Sequence, residues 1–300
     1  MISTDGRITA SVAGDYSVTP VEAGKEVVVC KARGLFRLKK ITPCVGDYVA
    51  LSLENDDYVI NEIKERKNVL VRPPLANLDC AVIVVSLCEP NPNPLVIDRL
   101  TVIFADKGIE SVLVFTKLDR KYDKKVAELL EIYRGAGFTC FTNDEISQIK
   151  EHLHNKTSAL IGNTGVGKTT LLNRLIPGLD RPTAEISKKL GRGKHTTRIV
   201  ELHELPNCAS SNKNRGYIAD TPGFSTVESR FYGEIASSDI ALCFREFEPL
   251  LGKCKFGGCT HTGEDGCAIC EKVTDKSIAQ SRYDSYKAIY AEAKKAENKW

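Results

Sequence analysis

The sequence predicts a multi-domain chain: a small all-β barrel or sandwich, then an α/β layer on a mostly parallel sheet, then a cysteine-rich α-helical end. Three observations predict this. Up to about residue 70 the apolar residues fall in short β-type runs broken by turns; from there to about 230, continuous apolar strands alternate with helical patterns; and four of the 11 cysteines crowd into positions 254 to 270. The expected boundaries are 1–70, 71–230 and 231–300.

In the first part the runs are Val27 to Cys30, a break at Gly34, Arg37 to Ile41, Pro43 to Tyr48 with a turn at Gly46-Asp47, and Tyr58 to Ile60. Arg72-Pro73-Pro74 ends them. In the second part Ala81 to Leu87 precedes a helical Leu95 to Phe104, Ser111 to Phe115 precedes Lys121 to Arg134, and Ser158 to Ile161 precedes Lys168 to Leu175. Strands covered on both faces read as unbroken apolar runs, which is why a parallel sheet is expected here. Asn207 to Arg215 is polar and turn-rich, a surface loop before the strand Tyr217 to Ala219. A short helical region, the cysteine cluster and a helix after Asp275 complete the chain.

Composition excludes several classes. With 42% hydrophobic and 27% charged residues among 300, the chain is neither disordered nor fibrous. Its longest apolar stretch falls well short of the roughly 20 residues of a membrane helix. The start, Met1 to Arg7, has neither the basic head nor the apolar core of a secretory signal, so a cytoplasmic protein is expected. An odd number of cysteines in such a chain argues for a metal rather than a disulfide framework. The net charge of +3 is small, but Lys31, Arg33, Arg37, Lys39 and Lys40 form one acid-free basic run and Lys188, Lys189, Arg192, Lys194 and Arg198 another, as a nucleic-acid contact would need.

Gly162-Asn163-Thr164-Gly165-Val166-Gly167-Lys168-Thr169 matches the glycine-rich phosphate loop. It follows a strand and opens a helix, so its backbone N–H groups and the helix N-terminus can hold phosphate oxygens. Lys168 would reach the β and γ phosphates, the Thr169 hydroxyl would hold Mg²⁺, and Thr170 joins the same nucleotide-binding turn. Thr116-Lys117-Leu118-Asp119 closes a strand of the same sheet, where such folds bind ligands. An ionised Asp119 accepts from the paired N1–H and N2–H₂ donors of guanine, a pair adenine lacks. Asp220-Thr221-Pro222-Gly223-Phe224 supplies an aspartate for Mg²⁺ through water and a Gly223 N–H that senses the γ-phosphate. Between these, Thr196 or Thr197 would bind the metal. The guanine motif precedes the phosphate loop, the reverse of the usual order, so the domain is circularly permuted. Phe224 occupies the position where many GTPases place a water-orienting Gln, and His195 is the candidate catalytic group in its stead.

Cys254, Cys259, His261 and Cys267 stand at spacings of five, two and six, a donor set that suits tetrahedral Zn²⁺ with no open position. On spacing alone Cys270 could replace Cys267.

This combination resembles the bacterial ribosome small-subunit-dependent GTPase A family along nearly the whole chain. Pro43 to Asp47, Arg66-Lys67-Asn68, Ala76 to Asp79, the permuted motifs and the metal cluster all carry the likeness. The resemblance implies an N-terminal OB-fold that contacts rRNA through Lys31 to Lys40, structural zinc on Cys267 rather than Cys270, and His195 in the flexible basic switch. It further implies a monomer that binds GTP and GDP with Mg²⁺ and assists late maturation of the small ribosomal subunit. Two departures stand out. Thr116 stands where the family's guanine motif often begins with Asn, a change expected to loosen the tie to the phosphate loop, and the later base-contacting motif is blurred at Cys140-Phe141-Thr142. The rival readings are a P-loop ATPase, and an RNA-binding module whose nucleotide is structural.

Overall fold

The computed structural model describes residues 3–21, 26–38, 41–71, 73–119, 124–179, 200–206, 216–220 and 235–298. It falls into two compact units. One comprises Met1–Ala81, Asp144–Ile161 and Gly167–Phe224, the other Val82–Asn143, Gly162–Val166 and Ser225–Trp300. Among the described residues no helix is long and apolar enough to cross a membrane.

The first unit begins with a barrel of β1 (Ser3–Val12), β2 (Asp15–Pro20), β3 (Val28–Ala32), β4 (Tyr48–Glu54) and β5 (Asp57–Ile63). Alternation along β2 turns Tyr16, Val18 and Pro20 inward, as one buried face requires. Ala13 and Gly14 between β1 and β2, and Asn55 and Asp56 between β4 and β5, all have positive φ, the geometry that lets a two-residue turn follow the twist of its strands. The order is β1-β2-β3-β5-β4, with β4 also pairing to β1, so the sheet closes; β3 and β5 run parallel. This is the five-stranded barrel of an OB-fold. Ile8, Val18, Val49, Leu51 and Ile60 fill it.

One local expectation fails. Arg37 and Leu38, where the expected strand would begin, lie instead in α1 (Leu35–Leu38), a single helical turn. Neither face of Arg37-Leu38-Lys39-Lys40-Ile41 is free of a basic residue, so a strand there would bury charge. The turn instead buries Phe36 and leaves Leu38 82% exposed.

Beyond the barrel a short hairpin, β6 (Val69–Val71) with β7 (Pro74–Ala76), lies within a dense polar joint. Arg66 grips the buried Asp47 with two bonds of 2.7 and 2.8 Å. Asn77 accepts from Lys67 N at 2.8 Å and donates to Gly46 O at 3.0 Å. Asn68 pairs with both backbone groups of Leu78. Gly46 has φ +94°, and a Cβ there would stand 2.1 Å from Ala76 O, so only glycine lets the two segments approach. The same unit holds β11 (Thr157–Ile161), β12 (Glu201–Glu204) and β13 (Tyr217–Asp220). β11 and β13 are parallel, whereas β12 is antiparallel to both β13 and β1. The sequence reading did not foresee β12, whose Glu201-Leu202-His203-Glu204 offers one buried residue, Leu202.

The second unit contains β8 (Cys80–Ser86), beginning at Val82, with β9 (Glu110–Thr116) and β10 (Thr139–Thr142), together with α2 (Pro94–Asp106) and α3 (Lys124–Gly135). Every residue of β8 is buried. α4 (Ile146–Leu153) and α5 (Lys168–Leu175) belong to the first unit. The C-terminal segment forms 3-10 helices Ser237–Cys243 and Arg245–Leu250, then α6 (Ala268–Thr274) and α7 (Gln280–Glu297). Phe244, Phe247 and Tyr286 pack with ring centroids 5.0–5.4 Å apart, and Val102 and Ile103 of α2 share their core.

A buried charge cluster fastens α7 onto α2. The Arg282 guanidinium, 1% exposed, bonds Asp98 and reaches Glu246 at 2.7 and 3.1 Å, while Tyr133 donates to Asp98 at 2.6 Å. Removing one partner of such a cluster strands the others in a medium that cannot solvate them, at about 3–5 kcal/mol. Arg282→Met is therefore expected to lower stability by that order in a denaturant titration, and an unchanged midpoint would refute the cluster's role.

Candidate nucleotide site and metal centre

β11 is buried along its whole length and delivers the chain into the phosphate loop. Gly162 has φ +147°, and a Cβ there would come within 2.6 Å of Val84 O; the loop lies directly on the backbone of β8. Gly167, with φ +102°, caps α5, whose first turn carries Lys168, Thr169 and Thr170. The N–H groups of a first helical turn find no acceptor within their own helix, so the start of α5 offers its donors to an anion. Asn163 is half-buried, Thr164 and Gly165 are exposed, and Val166 is buried.

The guanine-type motif begins where β9 ends. Thr116 is buried, and its Oγ1 donates to Val166 O of the phosphate loop at 2.6 Å. The threonine thus makes the link expected of the Asn it replaces. Lys117 takes φ +62° and donates through Nζ to Glu89 O, pinning the loop that follows β8. Leu118 is half-buried and Asp119 is exposed. β10 runs parallel to β9, and Asn143 N donates to Phe115 O at 2.8 Å, so Thr142-Asn143 stands beside the motif's strand. Sequence reasoning assigned no residue there; chain order was the one available signal.

Asp220 is the last residue of β13, in register with Leu160 of β11 and facing Glu201 of β12. The strand that leads to the phosphate loop and the strand that carries this aspartate therefore finish level with each other. His195, Thr196, Thr197 and Gly223 lie outside the described residues, as do Lys39, Lys40 and the Arg37 side chain. Of the barrel's basic run, Lys31 is exposed on β3, and Arg33 is exposed but ion-paired with Glu54.

In the C-terminal segment the ligand atoms of Cys254, Cys259, His261 and Cys267 all lie within 4.8 Å of one another. Cys254 Sγ stands 3.4 Å from His261 Nδ1 and 3.9 Å from Cys267 Sγ, and Cys267 Sγ is 3.5 Å from the same nitrogen. Tetrahedral zinc with ordinary bond lengths separates sulfurs by about 3.8 Å and sulfur from nitrogen by about 3.5 Å, so the four side chains fit that ion. Burial holds His261 below its ordinary pKa and keeps a lone pair available for a metal. Cys270 is not in this set, and its Sγ stands 3.2 Å from Tyr283 OH. Between the ligands, Glu264 accepts from Thr260 N and Thr262 N at 2.9 and 2.7 Å. Burial alone would raise its pKa; the Thr260 hydroxyl, which also donates to it, and these backbone donors outweigh that and take it down to about 2.

Comparison with known proteins places this geometry. The RsgA N-terminal domain model matches residues 5–59 and the RsgA GTPase model residues 63–230. Among curated relatives, the small ribosomal subunit biogenesis GTPase RsgA 2 of Oceanobacillus iheyensis is 41% identical over 291 residues, 94% of each chain. RsgA of Bacillus subtilis is 38% identical over 301 residues, 97% of each. The crystal structure of YjeQ from Thermotoga maritima has a TM-score of 0.75 at 30% identity, covering 97% of this chain and 99% of that one. That of YloQ, described as a circularly permuted GTPase, has 0.76 at 32%, covering 98% and 96%. With both domain models matched in order and relatives aligned almost end to end, the chain belongs to the RsgA GTPase family.

Proposed function

We propose that this GTPase acts in the late maturation of the small ribosomal subunit in the cytoplasm, coupling contact with rRNA to hydrolysis of GTP. The observation that carries the nucleotide half of the reading is the bond from Thr116 Oγ1 to Val166 O: two motifs 50 residues apart, in inverted chain order, meet through it. The ribosomal half is supported by the relatives, which are named for biogenesis of that subunit.

In this reading Lys168 neutralises the β and γ phosphates, Thr169 and Asp220 hold Mg²⁺ together with Thr196 or Thr197, and the Gly223 N–H reports the γ-phosphate. Asp119 reads the base. His195 orients the attacking water in place of the side chain that Phe224 cannot supply. Zinc on Cys254, Cys259, His261 and Cys267 has no free coordination position and so stabilises the fold without taking part in hydrolysis. Lys31 and its neighbours contact rRNA phosphates; Arg33, already paired with Glu54, contributes less. The protein works as a monomer.

The test is GTP turnover measured with and without purified small subunits. Turnover is expected to be slow alone and at least about tenfold faster with subunits, and His195→Ala should remove roughly 10²-fold or more of the stimulated rate. Equal rates with and without subunits would overturn the proposal.

A further inference from the structure

Arg7 of β1 is the most unusual charged side chain of the barrel. It is 5% exposed, and its guanidinium lies 4.9 Å from the ring centres of both Tyr48 and Tyr217. Its Nη2 donates to Thr157 Oγ1 at 2.8 Å, and its Nε has no hydrogen-bond partner among the described residues. Tyr48 sits opposite Arg7 in the β1–β4 ladder and belongs to the barrel. Thr157 and Tyr217 do not: they are the first residues of β11 and β13 and are register partners of each other. β11 runs on into the phosphate loop, and β13 ends at Asp220. One guanidinium therefore holds the barrel against the entry ends of two strands whose far ends serve the phosphates. A second path runs alongside, since Ala10 of β1 pairs with Glu201 of β12, and Glu201 faces Asp220.

Stability alone is a poor account of this arrangement. A buried cation with an orphaned N–H is costly, and an apolar side chain of similar volume would usually serve the fold as well or better. What the guanidinium adds is a planar group that meets two rings and the Thr157 hydroxyl at once, which fixes direction as well as distance.

The geometry points to Arg7 as the residue that couples the barrel to the nucleotide site: by joining the barrel to the entry ends of β11 and β13, it makes engagement of the barrel and the state of the bound nucleotide bias one another. This rests on the reading of the small subunit as partner. Such coupling is reciprocal, so it can be measured from either side.

The experiment titrates purified small subunits with the full-length protein, loaded either with a non-hydrolysable GTP analogue or with GDP. Wild type is expected to show affinities that differ between the two states by about 5- to 150-fold, the usual span of coupling. Arg7→Met should bring that ratio to within about twofold of one, while leaving the weaker-binding state and the subunit-free GTPase rate essentially unchanged. Tyr217→Phe, which keeps the ring, should retain the wild-type ratio, and Tyr217→Leu should lose it, so the outcome does not hang on one variant folding. A merely structural role would weaken both states equally and preserve the ratio; that result, or a wild-type ratio of one, overturns the inference. Failure of the ribosomal reading would look different: no subunit binding in either state.

Discussion

Asp119→Asn is expected to turn a guanine site into a xanthine site. The carboxylate is placed after β9, on a motif anchored by Thr116 to the phosphate loop, where it can accept from N1–H and N2–H₂ together. An amide presents one acceptor and one donor, so its NH₂ would face the exocyclic amine of guanine donor to donor. One charge-assisted bond, at about 1.5–3 kcal/mol, is lost outright and the other keeps its acceptor but loses its charge, which corresponds to a GDP affinity weaker by roughly 10²-fold. Xanthine carries a carbonyl in place of that amine, and the amide pairs with it while still accepting from N1–H. Calorimetric titration of wild type and variant with GDP and XDP measures the exchange directly. GDP affinity unchanged by the substitution would remove Asp119 from the base site. Adenine nucleotides should bind the wild type poorly, because they offer no paired donors to the carboxylate.

What the sequence made legible was chemistry with fixed local spacing. The phosphate loop could be found because glycines must occur where the backbone turns left-handed or meets another backbone, as Gly162 does against Val84. Its helix was foreseen over Lys168 to Leu175, where α5 runs. The metal donors were found the same way, yet spacing could not choose between Cys267 and Cys270, since they lie three residues apart; in the fold Cys267 joins the other three ligands and Cys270 meets Tyr283 OH.

Long-range relations were not legible. Pro43 to Asp47, Arg66 to Asn68 and Ala76 to Asp79 carried family likeness without any chemistry to explain it. The structure joins them: Asp47 receives Arg66, Asn77 reaches Gly46 and Lys67, and Asp79 accepts from Thr157 N at 2.8 Å. They are parts of a joint between barrel and β11, and no pattern in a window of a few residues could have assembled it. Arg7 is more hidden still. Its partners Thr157 and Tyr217 lie in a different part of the chain, and a lone arginine in a β-run reads as a solvent-facing residue. The antiparallel β12 escaped for a related reason: its pairing with β1 and β13 outweighs a local sequence that is half acidic.

Removing the metal should unfold one loop without unfolding the protein. Residues 252 to 267 bury little besides Cys267 and His261, and the exposed Phe256 adds nothing to a core. A loop of this size cannot be held by apolar burial, whereas structural zinc in small finger peptides supplies about 10–16 kcal/mol of apparent binding energy. The neighbouring helices have support of their own: the Phe244, Phe247 and Tyr286 cluster, and Arg282 bound to Asp98 and Glu246. Purified protein should therefore carry one zinc per chain by elemental analysis. Chelation, or Cys254→Ser, should accelerate tryptic cleavage at the exposed Lys253 and Lys255 by at least about tenfold, as expected when a local opening free energy collapses. α7 should stay protected from hydrogen exchange under the same conditions, because its contacts with α2 do not pass through the ligands. Cleavage at an unchanged rate in metal-free protein would mean that hydrogen bonds such as those of Glu264 hold the loop by themselves. Loss of protection throughout α7 would mean instead that the aromatic cluster depends on the ion, and that the C-terminal segment folds as one cooperative piece.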